Sequence, residues 1–199
     1  MIIGKNKVAK KDLDLRKSKE YVFAVKQIIN DSFNQIKNLM IMEFDSHPVT
    51  REIEAGANAS NISRTLGGNG NLFSFIGFEK GDNPTAIIRN MLISQTYLNS
   101  IVVKRDGSVD TIVSYPQPKE IFAVTPLPWA DGRSWAEGIE RGMSGLGFYL
   151  NTKSLHSRSG SGIQSENKIR SAKFNNVSYI SAIIRNFEKQ IIALNKRTV

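Results

Sequence analysis

The amino-acid sequence predicts an α+β fold with a mostly antiparallel sheet. Three patterns support this class: an amphipathic helix near the N-terminus, a β-hairpin near the middle and a second amphipathic helix near the C-terminus. Strand and helix patterns do not alternate regularly, as they do in a doubly wound parallel sheet. We therefore expect a long N-terminal helix, a central mostly antiparallel sheet with the hairpin, and a C-terminal amphipathic helix packed on the sheet.

The length of 199 residues fits one domain with an appendage. We expect residues 1–17 to form a basic flexible N-terminal arm and residues 18–199 to form a single α+β domain. The stretch "SLHSRSGSGIQSENKIRSAKF" is rich in Ser and Gly and lies between two stretches that favour strands. It predicts an extended interaction loop at about residues 152–168. Because ordering such a segment costs conformational entropy, we expect a neighbouring subunit to order it.

The first helix is predicted to run from Ser18, a favourable N-cap residue, to about Glu43. It must end by His47, because the residue before a proline avoids the helical conformation. Apolar residues recur in this stretch at spacings of three and four, which predicts one buried stripe. The stripe consists of Val22, Val25, Ile29, Phe33, Ile36 and Met40.

The pattern then changes twice. Pro48 favours the start of a short helix, and Gly56 favours its end. A small, polar and glycine-rich loop follows. The stretch "LFSFIGF", residues 72–78, is apolar and aromatic, and we predict a buried strand there.

A hairpin is the strongest pattern in the middle of the chain. In "NSIVVKRDGSVDTIVSYP" two β-branched runs flank Asp106–Gly107, a pair that favours a tight turn. We expect a short helix to begin at Pro84, before the hairpin. After the hairpin, "EIFAVTPLPW" predicts a further strand.

Two more helices are predicted toward the C-terminus. Ser134 and Glu137 have the spacing of a capping box and predict a short helix. The stretch "LGFYLNT" then predicts a strand. Residues from Val177 to Asn195 predict the closing helix, with these apolar residues on one face: Ile180, Ile183, Ile184, Phe187, Ile191 and Leu194.

The composition excludes some classes of site. The chain has no cysteine, which excludes disulfides, thiolate metal sites and cysteine nucleophiles. No run approaches the roughly 20 apolar residues of a membrane span, and the N-terminal stretch does not have the pattern of a secretory signal. The net charge of +9 fits a polyanionic partner or an acidic neighbouring surface, or else a charge that only aids solubility.

The sequence contains no recognised catalytic signature. Its glycine-rich stretches lack the lysine of a phosphate-binding loop, and no Gly-x-Ser-x-Gly elbow is present. Ser159 or Ser161 could form a catalytic Ser–His pair with His47, but a structural role for these residues is the stronger interpretation. We therefore expect no catalytic, cofactor-binding or metal-binding residues and no cofactor.

Several single residues could still carry chemistry. His47 fits a helix boundary, where it would hydrogen-bond nearby backbone, better than it fits a ligand or titrating site. Glu52 and Glu54 should lie on different faces of a helix, since residues two apart do not face each other. We expect the side chains of Trp129 and Trp135 to anchor a turn to the core, and not to stack on the bases or sugars of a ligand. We expect Glu137 and Glu140 to form surface ion pairs with nearby arginines. Asp131 has no defined site in the sequence pattern.

Basic residues concentrate in the N-terminal arm, in the predicted interaction loop and at the C-terminus. Such segments can neutralise phosphates or bind acidic protein surfaces. We predict that the interaction residues are Lys10, Lys11, Arg16, Arg158, Ser159, Gly160, Gly162, Ile163, Gln164, Lys168 and Arg170.

The stretch "EFDSHPVTREIEAG", followed by a Gly/Asn-rich loop and "GNLFSFIGF", resembles the neck and tail-completion proteins of long-tailed bacteriophages, including head–tail joining and tail-terminator proteins. The order of long helix, hairpin sheet and closing helix is similar as well. The loop "SRSGSGIQ" fits the extended loops with which small virion joining proteins reach neighbouring subunits.

This resemblance implies a non-enzymatic structural virion protein. It implies a homo-oligomeric ring, expected to be a hexamer, that joins the head-side connector to the tail. The expected partners are further copies of the chain and neighbouring phage connector and tail proteins, with non-specific proximity to DNA and no membrane. Assembly would take place in the cytoplasm of the host bacterium. Ring subunits need head-to-tail interfaces that close on themselves.

Two alternatives remain open from the sequence. The first is a basic nucleic-acid-binding protein that uses its flexible arms, with an affinity that falls steeply with salt. The second, more distant, is a hydrolase whose site would bring together groups such as Glu52, His47 and Asp131.

Overall fold

The computed structural model describes residues 18–68, 70–104, 108–128, 130–143, 149–150, 163–164 and 174–197. In chain order the elements are α1 Lys19–Ser46, α2 Pro48–Glu54, a 3₁₀ turn Gly56–Asn58, α3 Leu72–Ile76, α4 Thr85–Gln95, β1 Tyr97–Val103, β2 Val109–Ser114, α5 Pro118–Ala123, β3 Pro126–Leu127, β4 Ala130–Ser134, α6 Trp135–Arg141, β5 Tyr149–Leu150, β6 Ile163–Gln164 and α7 Ile180–Arg197. The long first helix, the antiparallel hairpin and the closing helix confirm the predicted α+β class.

Helix α1 begins where the sequence predicts and ends at the predicted proline. The Ser18 Oγ accepts a hydrogen bond from the Tyr21 N–H at 3.1 Å, which confirms the N-cap. His47 has an extended backbone (ψ 135°) before Pro48, and this ends the helix. Three members of the predicted apolar stripe are buried, the other three are half-buried, and the stripe continues by one further residue. Its buried members are Ile29, Phe33, Met40 and Phe44.

The strand predicted at residues 72–78 is wrong, because Leu72–Ile76 form helix α3. The Asn71 Oδ1 caps this helix by accepting a hydrogen bond from the Ser74 N–H at 2.8 Å. Gly77 ends it with a φ of 88°, a conformation that favours glycine. A short, continuously apolar run fits a buried strand and a buried helical turn equally well, so these two end residues decide its conformation.

The predicted hairpin is confirmed as β1 paired antiparallel with β2. A bulge between Leu98 and Ser100 interrupts the pairing and leaves Asn99 without an opposite residue in β2. The predicted turn at Asp106–Gly107 lies outside the described residues. The described strands form three separate two-stranded antiparallel pairs, β1–β2, β3–β4 and β5–β6, and not one continuous central sheet.

The strand predicted in "EIFAVTPLPW" is wrong over most of its length. Pro118–Ala123 form helix α5, and only Pro126–Leu127 are extended, as β3. A capping box between Gln117 and Glu120 starts the helix. Gln117 takes the position that Ser or Thr usually occupies in this motif, and for this reason the sequence pattern did not reveal the helix.

Helix α6 begins at the predicted residue. The Ser134 Oγ accepts a hydrogen bond from the Glu137 N–H at 3.1 Å. Trp135, the first residue of the helix, is buried in the core, as predicted. Trp129 lies outside the described residues, and the strand predicted in "LGFYLNT" is described only at Tyr149–Leu150, which is extended.

The closing helix α7 lies against both α1 and the hairpin. The Asn186 side chain donates a hydrogen bond to the Glu43 carboxylate of α1 at 2.7 Å. The Tyr115 hydroxyl, just after β2, donates to the Glu188 carboxylate at 2.8 Å. The helix predicted to pack on the sheet therefore also packs along α1. No helix in the described ranges combines the length and the apolar character needed to cross a membrane.

The core of the fold lies where α1, α2, α3, α6 and α7 meet, and buried side chains from these helices form one hydrophobic cluster. Tyr179 is at the centre of an aromatic group within it. Its ring lies 6.0 Å from the ring of Phe44 and 6.5 Å from that of Trp135. The residue just before α7 therefore packs against both α1 and α6.

Candidate functional site

The sequence-predicted interaction residues are mostly outside the part of the chain that the structure describes. These are Lys10, Lys11, Arg16, Arg158, Ser159, Gly160, Gly162, Lys168 and Arg170. Ile163 and Gln164 are described: they form β6, paired with Leu150 and Tyr149 of the same chain. Part of the predicted interaction loop is thus paired with another short segment of the same chain.

A buried carboxylate organises the polar loop between α2 and α3. Glu52 is fully buried. Its Oε1 accepts hydrogen bonds from the Asn61 Nδ2 at 2.8 Å and from the Leu72 N–H at 2.7 Å, and its Oε2 accepts one from the Ser63 N–H at 2.9 Å. A buried charge is tolerated when hydrogen bonds replace its hydration, and here three donors do so.

Asn61 extends this network through its other side-chain atom. Its Oδ1 accepts hydrogen bonds from the Leu66 N–H at 2.9 Å and the Gly68 N–H at 3.1 Å. The hydroxyls of Ser63 and Thr65 lie 2.9 Å apart beside it. We name Glu52, Asn61, Ser63 and Thr65 the buried polar network. It closes the loop onto the end of α2, which is a structural role.

The two carboxylates of α2 do face different directions, as predicted. Glu54 is exposed, and it accepts a hydrogen bond from the Thr85 hydroxyl at 3.0 Å. Asp131 is exposed on β4. The three groups considered for a hydrolase site therefore lie in different environments. Glu52 belongs to the buried polar network, Asp131 is exposed to solvent, and His47 lies against the segment before α7.

His47 links the junction of α1 and α2 to the segment before α7. Its Nδ1 accepts a hydrogen bond from the Val49 N–H at 3.2 Å, which confirms the predicted bond to nearby backbone. Its Nε2 lies 3.1 Å from the Ser178 carbonyl oxygen, to which it donates in the neutral tautomer that this pair of bonds requires. The ring also lies 4.8 Å from the ring of Tyr179.

The environment of His47 favours its neutral form. Burial lowers the pKa of His47, and the Ser178 carbonyl and the carboxylates of Glu43 and Glu140 oppose this shift without cancelling it. Protonation would also remove the lone pair of Nδ1 that accepts the Val49 N–H. Both effects disfavour the charged ring in the folded chain.

We therefore expect stability to fall as the pH is lowered through the range in which His47 titrates. The unfolded chain binds the proton more readily, so the contribution of neutral His47 is complete above its ordinary pKa of 6.5 and is lost as the pH falls toward the lower folded-state pKa. Urea unfolding at about pH 7.5 and about pH 5.5 measures the difference. His47→Asn, which keeps a capping side chain, should show a smaller difference; an equal difference in both proteins would contradict the assignment.

Two acidic residues of α6 have structural partners. The Glu137 carboxylate pairs with Arg141 at 2.7 Å on the surface, as predicted. The surface ion pair predicted between Glu140 and an arginine is wrong. Its carboxylate accepts hydrogen bonds from the Ser181 N–H at 2.7 Å and the Ser181 hydroxyl at 2.6 Å, and so caps the start of α7. Among the described residues, no three histidine or carboxylate side chains form a group that could hold a metal ion.

The surface of α1 carries a second apolar stripe, which the sequence analysis did not single out. Ile28, Leu39 and Met42 recur at spacings of eleven and three residues, which places them on one face of the helix. Their exposed fractions are 61%, 51% and 63%. We name these three residues the outer stripe of α1. A surface helix normally buries one apolar stripe and exposes polar residues elsewhere, so these three exposed apolar side chains depart from the usual pattern.

A groove separates the first half of α1 from strand β1. Its lining consists of Phe23, Lys26, Gln27, Asn30, Leu98, Asn99, Ser100 and Ile101, and its volume is about 470 Å³. Phe23 is 68% exposed at this position. We name this feature the α1–β1 groove. Its lining combines apolar and polar side chains.

The net charge is distributed unevenly along the chain. Twelve of the 27 Lys and Arg residues, but only four of the 18 Asp and Glu residues, lie outside the described ranges. The described part of the chain therefore has a net charge of only +1, and the rest has +8. Electrostatic repulsion between copies of the described part is consequently small.

Comparison of the chain with protein-family models, with curated protein sequences and with solved structures finds no match, so its function is inferred from the residues and contacts described above.

Proposed function

We propose that this chain is a non-enzymatic structural subunit that assembles with copies of itself into a ring at the head–tail neck of a long-tailed bacteriophage. The observation that carries the proposal is the outer stripe of α1, which exposes three large apolar side chains on a helix whose opposite side is already buried in the core. An exposed apolar surface of this kind is typical of protein–protein contact sites.

Two further features support the proposal, the first its self-association and the second its non-enzymatic character. The described part of the chain is nearly neutral, so copies of it can approach one another. Its buried carboxylate, Glu52, and its partly buried Glu140 are both occupied by structural hydrogen bonds. The place in a phage neck rests on the resemblance of residues 40–78 to neck and tail-completion proteins, and a hexamer is the expected ring.

The oligomeric state tests the proposal directly. Light scattering after size-exclusion chromatography should give a multiple of the 22.2 kDa subunit mass, and negative-stain images should show closed rings. The double variant Leu39→Glu/Met42→Glu should shift the protein toward monomers, because it places two charges in the outer stripe. The matched control is Ile87→Glu, which changes an exposed isoleucine on α4. A wild-type protein that stays monomeric at about 100 μM, well above a micromolar Kd, would overturn the proposal.

Nucleic-acid binding is a second candidate function, because +8 of the net charge lies outside the described body. Basic segments bind phosphates with little sequence preference and with strong salt dependence. Fluorescence anisotropy with labelled duplex DNA at low and high salt distinguishes the two candidates. Binding that weakens steeply with salt supports this one, and no binding at low salt excludes it.

A further inference from the structure

The face of α1 that carries the outer stripe is long, exposed and almost uncharged. It runs from Ala24 to Ser46, both exposed, over about 33 Å of helix. Between these ends it exposes Ile28, Asp31, Gln35, Leu39 and Met42. All of these residues belong to the described range 18–68, and Asp31 is the one charged residue among them. The face therefore offers a partner helix apolar contacts with little charge to desolvate.

The outer stripe is spaced symmetrically about Gln35. Ile28 lies seven residues before Gln35 and Met42 lies seven residues after it. Seven residues make nearly two turns, so the three side chains lie on one face, about 10 Å apart along the helix axis. If two copies of α1 pack antiparallel about a two-fold axis at Gln35, Ile28 of each copy meets Met42 of the other. A two-fold contact requires this kind of self-complementary surface.

The polar residues at the edges of the face fit the same arrangement. Asp31 lies four residues before Gln35 and Asn38 lies three residues after it, on the same edge. An antiparallel pair therefore sets the Asp31 carboxylate of one copy beside the Asn38 amide of the other, which can donate a hydrogen bond to it. On the opposite edge, Leu39 comes beside the small side chain of Ser32. A parallel pair would instead bring the two Asp31 carboxylates to the same level, away from this donor.

The charge of the face favours a second copy over a strongly charged partner. A basic partner would find a single carboxylate there, and an acidic partner would find no basic group among the described residues of this face. In the antiparallel pair, the two Asp31 residues are separated by eight residue positions, or about 12 Å along the axis. This separation exceeds the screening length of about 8 Å at physiological salt, so their repulsion is small.

We propose that the outer stripe of α1 binds the outer stripe of a second copy in an antiparallel helix pair whose two-fold axis passes at Gln35. The two Gln35 amides lie side by side at this axis, where each can donate to the other. This inference rests on the proposed function, because it gives the partner and orientation of the same stripe. Two-fold pairing alone ends at a dimer, so a ring of six copies contains three such pairs joined by a second contact.

Disulfide trapping with a single variant tests the two-fold axis, since the wild-type chain has no cysteine. Packed helix axes lie about 8–10 Å apart and Cα atoms about 2.3 Å from their own axis, so facing Cα atoms come to about 5 Å, within the range of a disulfide. We expect Gln35→Cys to form a covalent dimer under mild oxidation. The matched control is Asn34→Cys, an exposed neighbour about 100° away around the helix, which should give about tenfold less dimer.

A mixture of two further variants tests the direction of the pair. Ile28→Cys protein mixed with Met42→Cys protein should give a disulfide that joins the two different variants, identified by mass spectrometry. Each variant oxidised alone should give little dimer, because an antiparallel pair holds the two copies of residue 28, and those of residue 42, at opposite ends. Dimers of each variant alone without the mixed product would show a parallel pair and overturn the inference.

The mass of the wild-type protein, measured in parallel, separates this inference from the proposed function. If wild-type rings form but Gln35→Cys gives no more dimer than Asn34→Cys, the inference is wrong and the ring stands. If the wild type stops at a dimer that Gln35→Cys traps, the inference holds and the ring is wrong. A wild type that stays monomeric at about 100 μM overturns both.

Discussion

Glu52→Gln should lower the free energy of unfolding by about 3 kcal/mol, the cost expected when a buried charged acceptor loses its match with its donors. Both carboxylate oxygens of Glu52 accept hydrogen bonds, from Asn61, Ser63 and Leu72. In a glutamine one of these oxygens becomes an NH₂ group, which meets an N–H donor. At least one buried main-chain or amide donor then has no acceptor, although the size of the side chain hardly changes.

Urea unfolding followed by circular dichroism measures this loss. The matched control is Glu79→Gln, at an exposed position, which should change stability by less than about 0.5 kcal/mol. All variants are compared at one protein concentration, because self-association would itself change apparent stability. A loss in Glu52→Gln no larger than in the control would show that the buried polar network does not depend on the charge of Glu52.

Tyr179→Ala should destabilise the protein by about 4 kcal/mol, as expected for removing a large buried aromatic side chain. Tyr179 is fully buried, and its ring contacts those of Phe44, His47 and Trp135. Its hydroxyl lies 2.8 Å from the hydroxyl of Thr50, which is also buried. Burial raises the pKa of the Tyr179 hydroxyl, so this group stays protonated and can donate.

Tyr179→Phe separates the ring from the hydroxyl. It keeps the aromatic packing but leaves the Thr50 hydroxyl without its partner, and it should cost about 1 to 2 kcal/mol. The exposed control, Tyr97→Ala, should cost about 0.5 kcal/mol. Thermal or urea unfolding measures the three losses of stability, which should be largest for Tyr179→Ala, smaller for Tyr179→Phe and smallest for the control. If Tyr179→Ala were no more damaging than Tyr179→Phe, the contacts of this ring would not stabilise the junction of α1 and α7.

The parts of the fold that the sequence predicted well are those with long patterns. Helix α1 repeats its apolar spacing over many turns and is bounded by a serine cap and a proline. The hairpin combines two β-branched runs with a tight-turn pair. Over the five residues of α3 or the six of α5, the same hydrophobic periodicity has too few repeats to distinguish helix from strand. Local cap residues, Asn71 and Gln117, then determine the conformation.

The candidate site could be predicted only in part. The outer stripe of α1 is visible in the sequence once the buried stripe is known, because Ile28, Leu39 and Met42 then lie off the core face. The buried polar network has no comparable sequence signal. Glu52 and Asn61 belong to different elements, and their spacing of nine residues matches neither a helix nor a strand repeat.

The sequence by itself determines the α+β class, the ends of α1, the hairpin, the uneven distribution of positive charge and the exclusion of cysteine chemistry. These properties follow from composition and from interactions between residues close along the chain. Only the tertiary structure decides that Glu52 is buried and bonded to three donors, that Glu140 caps α7 and that a groove lies between α1 and β1. Each of these depends on contacts between residues distant in sequence, whose burial and partners are set by packing and not by local pattern.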